Sequence, residues 1–212
     1  MRLRVTVTAV LLLLVCLPRF NMWDPGPIGR WTAAARNTPW GHPIDVEGYA
    51  RFVEYARGRE PAGRMLAPFA YRPLAPAIAA LMPGSATTAI NLLNVASLLA
   101  VLLLLEQIGR RAGLGGRGRW AAGLMFACSF PAFYYGAIGF IDPVAMLLAT
   151  LFLLLTLGRA PTLVLVVVMS LAVLAKETNA VFALLPPGFA FARDGRGRGA
   201  ATRTARGYRW SG

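Results

Sequence analysis

The sequence predicts an all-α fold: a polytopic bundle of about six transmembrane helices, with a long outer loop carrying amphipathic surface helices. Three observations predict it. The 212-residue chain is 57% hydrophobic with a mean hydropathy of +0.55, whereas soluble domains sit nearer roughly 45–50% apolar. The apolar residues fall in dense blocks such as 95–105, 145–157 and 163–175, and such blocks belong in lipid, where a helix satisfies its own backbone. Finally, 22 basic residues against 9 acidic ones give a net charge of +13. Much of the arginine lies between apolar blocks, the distribution of the positive-inside rule. No compact basic domain is present, so nucleic acid is not an expected partner.

The first element is the N-terminal one. Arg2 and Arg4 precede an apolar run over 5–17, the outline of a secretion signal. Pro18, Arg19, Phe20 and Asn21 stand where a small-x-small cleavage site would be needed. Val15 before Cys16 also makes a poor lipobox. The segment is therefore expected to be an uncleaved first span, 5–22. Further spans are expected at 86–106, 120–140, 143–158, 161–175 and 178–192. The last three are short, since about fifteen helical residues cover ~23 Å of a ~30 Å hydrocarbon core. Gly158, Arg159, Ala160 and Pro161 predict a break between the fourth and fifth spans.

Orientation follows from the short loops. Arg2 and Arg4, then Arg110, Arg111, Arg117 and Arg119, then Arg159, then Arg193, Arg196 and Arg198 fall on one side if the spans alternate. That side is the cytoplasm, which puts both termini there and the chain in the cell (inner) membrane as a multi-pass protein. Residues 193–212, rich in Gly, Arg, Ala and Thr, read as a basic disordered cytoplasmic tail, leaving 1–192 as the transmembrane module.

The opposite, outer side receives the loop 23–85 and the turns at Asp142 and at Lys176 and Glu177. Within the loop, Val46, Tyr49, Ala50, Val53 and Ala56 recur at helical spacing. Arg51, Glu54 and Arg57 fall between them, and Gly58 is placed to end the helix. This helix is expected to lie flat on the outer membrane surface. A second short helix is expected over 74–82, before Pro83 and Gly84.

A few polar residues stand out against this apolar background. Asp45 and Glu47 are two apart; in an extended loop they would point the same way and suit cation binding or acid/base work. The same residues equally suit an N-cap and a first helical turn. Arg72 lies in the stiff run Pro68-Phe69-Ala70-Tyr71-Arg72-Pro73-Leu74-Ala75-Pro76. Its fork of donors fits a phosphate, or anchors the chain at lipid headgroups. Asp142 is the only charge between Trp120 and Arg159. It either faces a cavity or is an exposed turn acid capping the fourth span. Lys176 is the only lysine, and with Glu177 it can form a self-neutralising pair. Asn91 and Asn94 suit interhelical hydrogen bonds. Cys16, Cys128 and the single His42 do not form a zinc pattern.

At these residues the chain resembles the GT-C class of membrane glycosyltransferases, and within it the bacterial members related to protein and lipid mannosyltransferases. The resemblance covers roughly 1–190. It rests on a first helix leading to a long outer loop with an early acid, Asp45 (here with Glu47), and amphipathic helices. It continues with the 68–76 stretch, Asp142 at the second outer turn, and Lys176, Glu177 and Thr178 at the third. Such enzymes carry more helices and often a soluble C-terminal domain, so the glycine/arginine tail reads like the end of a truncated or frame-shifted copy. The resemblance implies a hexosyltransferase that uses a polyprenyl-phosphate-sugar donor and a glycan, lipid or protein acceptor at the cell envelope. It implies Asp45 as general base, and Arg72 and Lys176 as stabilisers of the departing lipid phosphate. Asp142 and Glu47 would orient the acceptor, with a divalent cation optional and Asp45 and Glu47 its candidate ligands. The competing expectations are a non-catalytic membrane protein, in which these residues are silent, and a small transporter subunit, which would want polar groups deep within spans.

Overall fold

The computed structural model describes residues 2–16, 44–61, 71–130, 132 and 140–184. Among them the regular structure is all helical. The helices are α1 (Arg2–Cys16), α2 (Ile44–Ala56), α3 (Leu74–Ala80), α4 (Ala86–Arg111), α5 (Gly116–Ala127), α6 (Asp142–Leu157) and α7 (Thr162–Ala175), followed by a 3-10 segment, Glu177–Leu184.

The organising element is α4. Its apolar run explains the helix to about residue 106, and Glu106, Gln107, Arg110 and Arg111 extend it because they are strong helix formers. Ser85 caps its start by accepting from the Thr88 N–H at 3.2 Å. At 26 residues it is about 39 Å long. Among the described residues it is the one helix long and apolar enough to cross a membrane. α1, α6 and α7 are apolar but shorter.

α6 packs along α4, α7 packs back along α6, and α5 with α1 covers another side of α4. The turn between α6 and α7 is the expected break. The Ala160 N–H reaches the Leu155 carbonyl at 3.0 Å and the Arg159 N–H reaches Thr156 at 3.1 Å, a Schellman closure. Its left-handed position is held by Arg159 at φ 56° instead of by a glycine. Gly158 takes the place before it, where a Cβ would collide with Arg111 Nη1. That guanidinium donates to the Leu154 carbonyl at 2.6 Å, satisfying the end of α6.

Two loop helices sit at the Ala86 end of α4. α2 ends at Gly58 as expected, with φ 74°, and its apolar stripe is Val46, Tyr49, Phe52 and Val53. That stripe is not left free to lie on a membrane surface. Tyr49 and Val53 join Ala75, Ala79, Ala89, Ile90, Ile141 and Ala145 in one buried cluster. Arg57, expected on the polar face, has a side chain only 9% exposed. It donates to the carbonyls of Ala80 (3.3 Å), Met82 (2.7 Å) and Gly84 (3.0 Å) and closes the end of α3. The expectation failed because a periodicity argument assigns arginine to solvent by type.

The third expected span, 120–140, corresponds to α5 up to Ala127; most of its second half lies outside the described residues. The described part of the sixth, 178–192, is the 3-10 segment through Leu184, a winding rarely sustained beyond one turn. The end of the first span, residues 23–43 and 62–70 of the expected outer loop, the rest of the sixth span and the 193–212 tail also lie outside the described residues.

Candidate functional site

Side chains from four separate segments meet where α4 begins. Arg72 immediately precedes the Pro73 that opens α3. Its Nε donates to Glu177 Oε2 at 2.8 Å, its Nη2 to the other oxygen of the same carboxylate, and its Nη1 to Tyr49 Oη at 2.8 Å. This is a bidentate fork with its third donor fixed by a core tyrosine. Glu177 holds its carboxyl well below the usual range, at about 2, because Arg72 donates to it and its own backbone N–H adds a second bond. Arg72 is correspondingly pushed above the ordinary arginine value, chiefly by Glu177.

Beside this pair, Lys176 Nζ binds Asp142 Oδ1. Asp142 opens α6 just ahead of Pro143, so its charge also suits the helix N-terminus. It is not the exposed cap the turn suggested: Ile141 is the cap residue, and the Asp142 side chain is 17% exposed. Lys176 and Glu177 are likewise not each other's partners. The chain is extended at Lys176 (φ −162°), and the two neighbours reach different segments, Asp142 at the start of α6 and Arg72 just ahead of α3. Asn179, buried one turn later, donates to the carbonyls of Ala145 (3.2 Å) and Ala172 (3.0 Å) and ties the 3-10 segment to α6 and α7.

Arg72, Asp142 and Lys176 are thus brought together, with Glu177 and Tyr49 as partners the motif reading had not assigned. Asp45 belongs to the first turn of α2 and its side chain lies outside the described residues. Glu47 is on that helix too, exposed and bound to Arg51, not to the cluster. The stretch is wound as a helix and not extended, so positions 45 and 47 lie about 200° apart around its axis. Among the described residues no three His, Cys, Asp or Glu side chains are grouped to hold a metal.

Tyr49 follows the stripe spacing and so reads as core, and its hydroxyl has no sequence signal. Asn179 could have been found as the end of the polar run beginning at Lys176. Below the cluster, Asn94 Nδ2 donates to the carbonyl of Phe140, a non-helical residue just ahead of α6, while its Oδ1 is buried without a partner among the described residues.

The chain matches no protein-family model, no curated protein and no solved structure.

Proposed function

We propose that the chain is a multi-pass inner-membrane protein of the GT-C type. It would transfer a hexose from a polyprenyl-phosphate donor to an acceptor hydroxyl at the outer face. The carrying observation is the convergence of Arg72, Asp142, Lys176 and Glu177, distant in sequence, at one end of an apolar bundle. The membrane part is supported by apolar side chains left exposed along the outside, Leu163, Val166 and Val167 of α7 and Leu3, Val10 and Leu14 of α1 among them, which a solvent-facing surface would not carry so densely. The arginine-bearing turns lie at the opposite end from the cluster, supporting cytoplasmic termini.

In the reaction, the acceptor oxygen attacks the anomeric carbon as the bond from that carbon to the phosphate oxygen breaks. The electron pair leaves with the lipid phosphate and the acceptor proton passes to a carboxylate. Asp45 is the proposed base. Arg72 and Lys176 stabilise the phosphate where charge develops, and Asp142 orients the acceptor, with Glu47 in a supporting place. Since Arg72 holds Glu177 and Lys176 holds Asp142, the donor phosphate must displace a carboxylate from at least one of them. The Glu177 side chain is 56% exposed and is the easier partner to displace.

The same closed pairing favours a second reading, a non-catalytic membrane protein in which the two ion pairs clamp α3, α6 and the 3-10 segment. The deciding assay follows sugar transfer from labelled polyprenyl-phosphate donor in membranes containing matched amounts of protein. The enzyme reading expects transfer by the parent and a fall of about a hundredfold in Asp45→Asn. Absence of transfer by the parent selects the clamp.

A further inference from the structure

At the opposite end of α4, a cleft of roughly 230 Å³ opens between α1, α4 and α5. Arg4, Arg119 and Trp120 stand with Glu106 among its polar and aromatic lining, and Val5 and Leu102 among its apolar walls. Glu106 is matched by Arg119 at 2.9 Å and approached by Arg110 at 4.0 Å. Arg4 is left over: its guanidinium makes no hydrogen bond or ion pair with a described residue. It lies against Gly116, where a Cβ would meet Arg4 Nη1 at 2.6 Å. Arg119 gives Nε to Glu106 and Nη1 to the Leu114 carbonyl, and its Nη2 has no partner among the described residues. The first turn of α5 adds backbone donors. Its cap, Gly115, offers no side chain, and the ladder begins only with the Arg119 N–H on the Gly115 carbonyl at 3.1 Å.

We infer that this cleft binds the phosphate headgroup of an anionic phospholipid. Unused guanidinium donors and helix-start N–H groups supply the anion chemistry. The apolar walls and the outward apolar side of α1, with Leu3 75% and Leu14 58% exposed, supply a path for acyl chains that a free phosphate would not need. Trp120, 40% exposed at the rim, is suited to the headgroup level. Basic pockets between membrane helices on the cytoplasmic side characteristically take such headgroups. The inference rests on the membrane part of the proposed function and is independent of sugar transfer.

The test uses the full chain purified in detergent, equilibrated with equimolar phosphatidylglycerol and phosphatidylcholine, with bound lipid counted by native mass spectrometry. The parent should retain phosphatidylglycerol at least fivefold over phosphatidylcholine, on the order of one kcal/mol of preference. Arg4→Gln should remove most of the preference. Arg4→Lys, which keeps the N-terminal charge that orients α1, should keep only part of it. Arg51→Gln, at the other end of the bundle, should leave it intact. Equal retention of the two lipids by the parent, or a preference unchanged in Arg4→Gln, overturns the inference. Displacement of phosphatidylglycerol by equimolar soluble glycerol 3-phosphate also overturns it, because the site would then recognise phosphate without lipid. Extraction of the chain from membranes by alkaline carbonate would instead bring down the membrane reading itself.

Discussion

Where α4 begins, two cations meet two carboxylates one to one, Arg72 with Glu177 and Lys176 with Asp142. About 39 Å away, Arg110 and Arg111 of α4, Arg117 and Arg119 of α5, Arg4 of α1 and Arg159 of the α6–α7 turn share one end with Glu106, the single described acid there, which Arg119 and Arg110 approach. The first end is electrically balanced and made of partners far apart in sequence. The second is strongly positive, and two of its arginines are answered by carbonyls, Arg111 by Leu154 and Arg119 by Leu114. Balanced pairs confer geometry, since each partner has one place to go. An excess of one sign confers a field, which attracts anions. Chemistry that needs ångström placement belongs at the first end, and recognition of a diffuse anionic surface at the second.

The largest separation is expected in the proposed sugar transfer. Arg72→Ala should lower it about a hundredfold, while Arg110→Gln at the basic end should leave it within about twofold. Comparable losses from both would dissolve the distinction. A second contrast lies in stability. Lys176→Met leaves the mostly buried Asp142 without its partner and should cost about 2 kcal/mol, whereas Arg119→Met leaves Glu106 near Arg110 and should cost nearer 1 kcal/mol. Both can be read from denaturation in mixed micelles, and the reverse order would show that the basic end is the more tightly built.

Acid provides a third probe. The Glu177 carboxyl is lowered to about 2 from an ordinary 4.5. Its contribution is therefore fully present above pH 4.5 and is lost as pH falls toward 2. Glu177→Gln should flatten the stability profile across that window, and an unchanged profile would show the pair contributes nothing. The smallest effect concerns Arg159. Replacing this left-handed arginine with glycine relieves backbone strain but loosens the unfolded chain, for a net gain of roughly half a kcal/mol. A loss instead would mean the Arg159 side chain does more at the basic end than close a turn.

The helices were legible where glycine, proline and long apolar runs decide the matter. The start of α4, the end of α2 at Gly58 and the break at 158–161 follow from the chain alone. The site was legible as a set of unusual charges, because Asp142 and Lys176 are conspicuous in such an apolar sequence. Their pairing was not, since it depends on how α6 and α7 lie together, 34 residues apart along the chain. The relation between Asp45 and Glu47 could not be read without knowing whether that stretch is extended or wound. Arg57 was misread because an arginine that caps another helix looks, in sequence, like any solvated one.

Arg57 also gives the end that carries the cluster its leverage. It directly follows α2 but grips the close of α3 and the turn after it, holding together the helix that carries Tyr49 and the helix that Arg72 precedes. The aim of the Arg72 fork is therefore set from a distance by a residue that touches none of the groups at the cluster. Variation at position 57 would retune that cluster without altering a single one of its side chains, and a comparison confined to those side chains would miss the change.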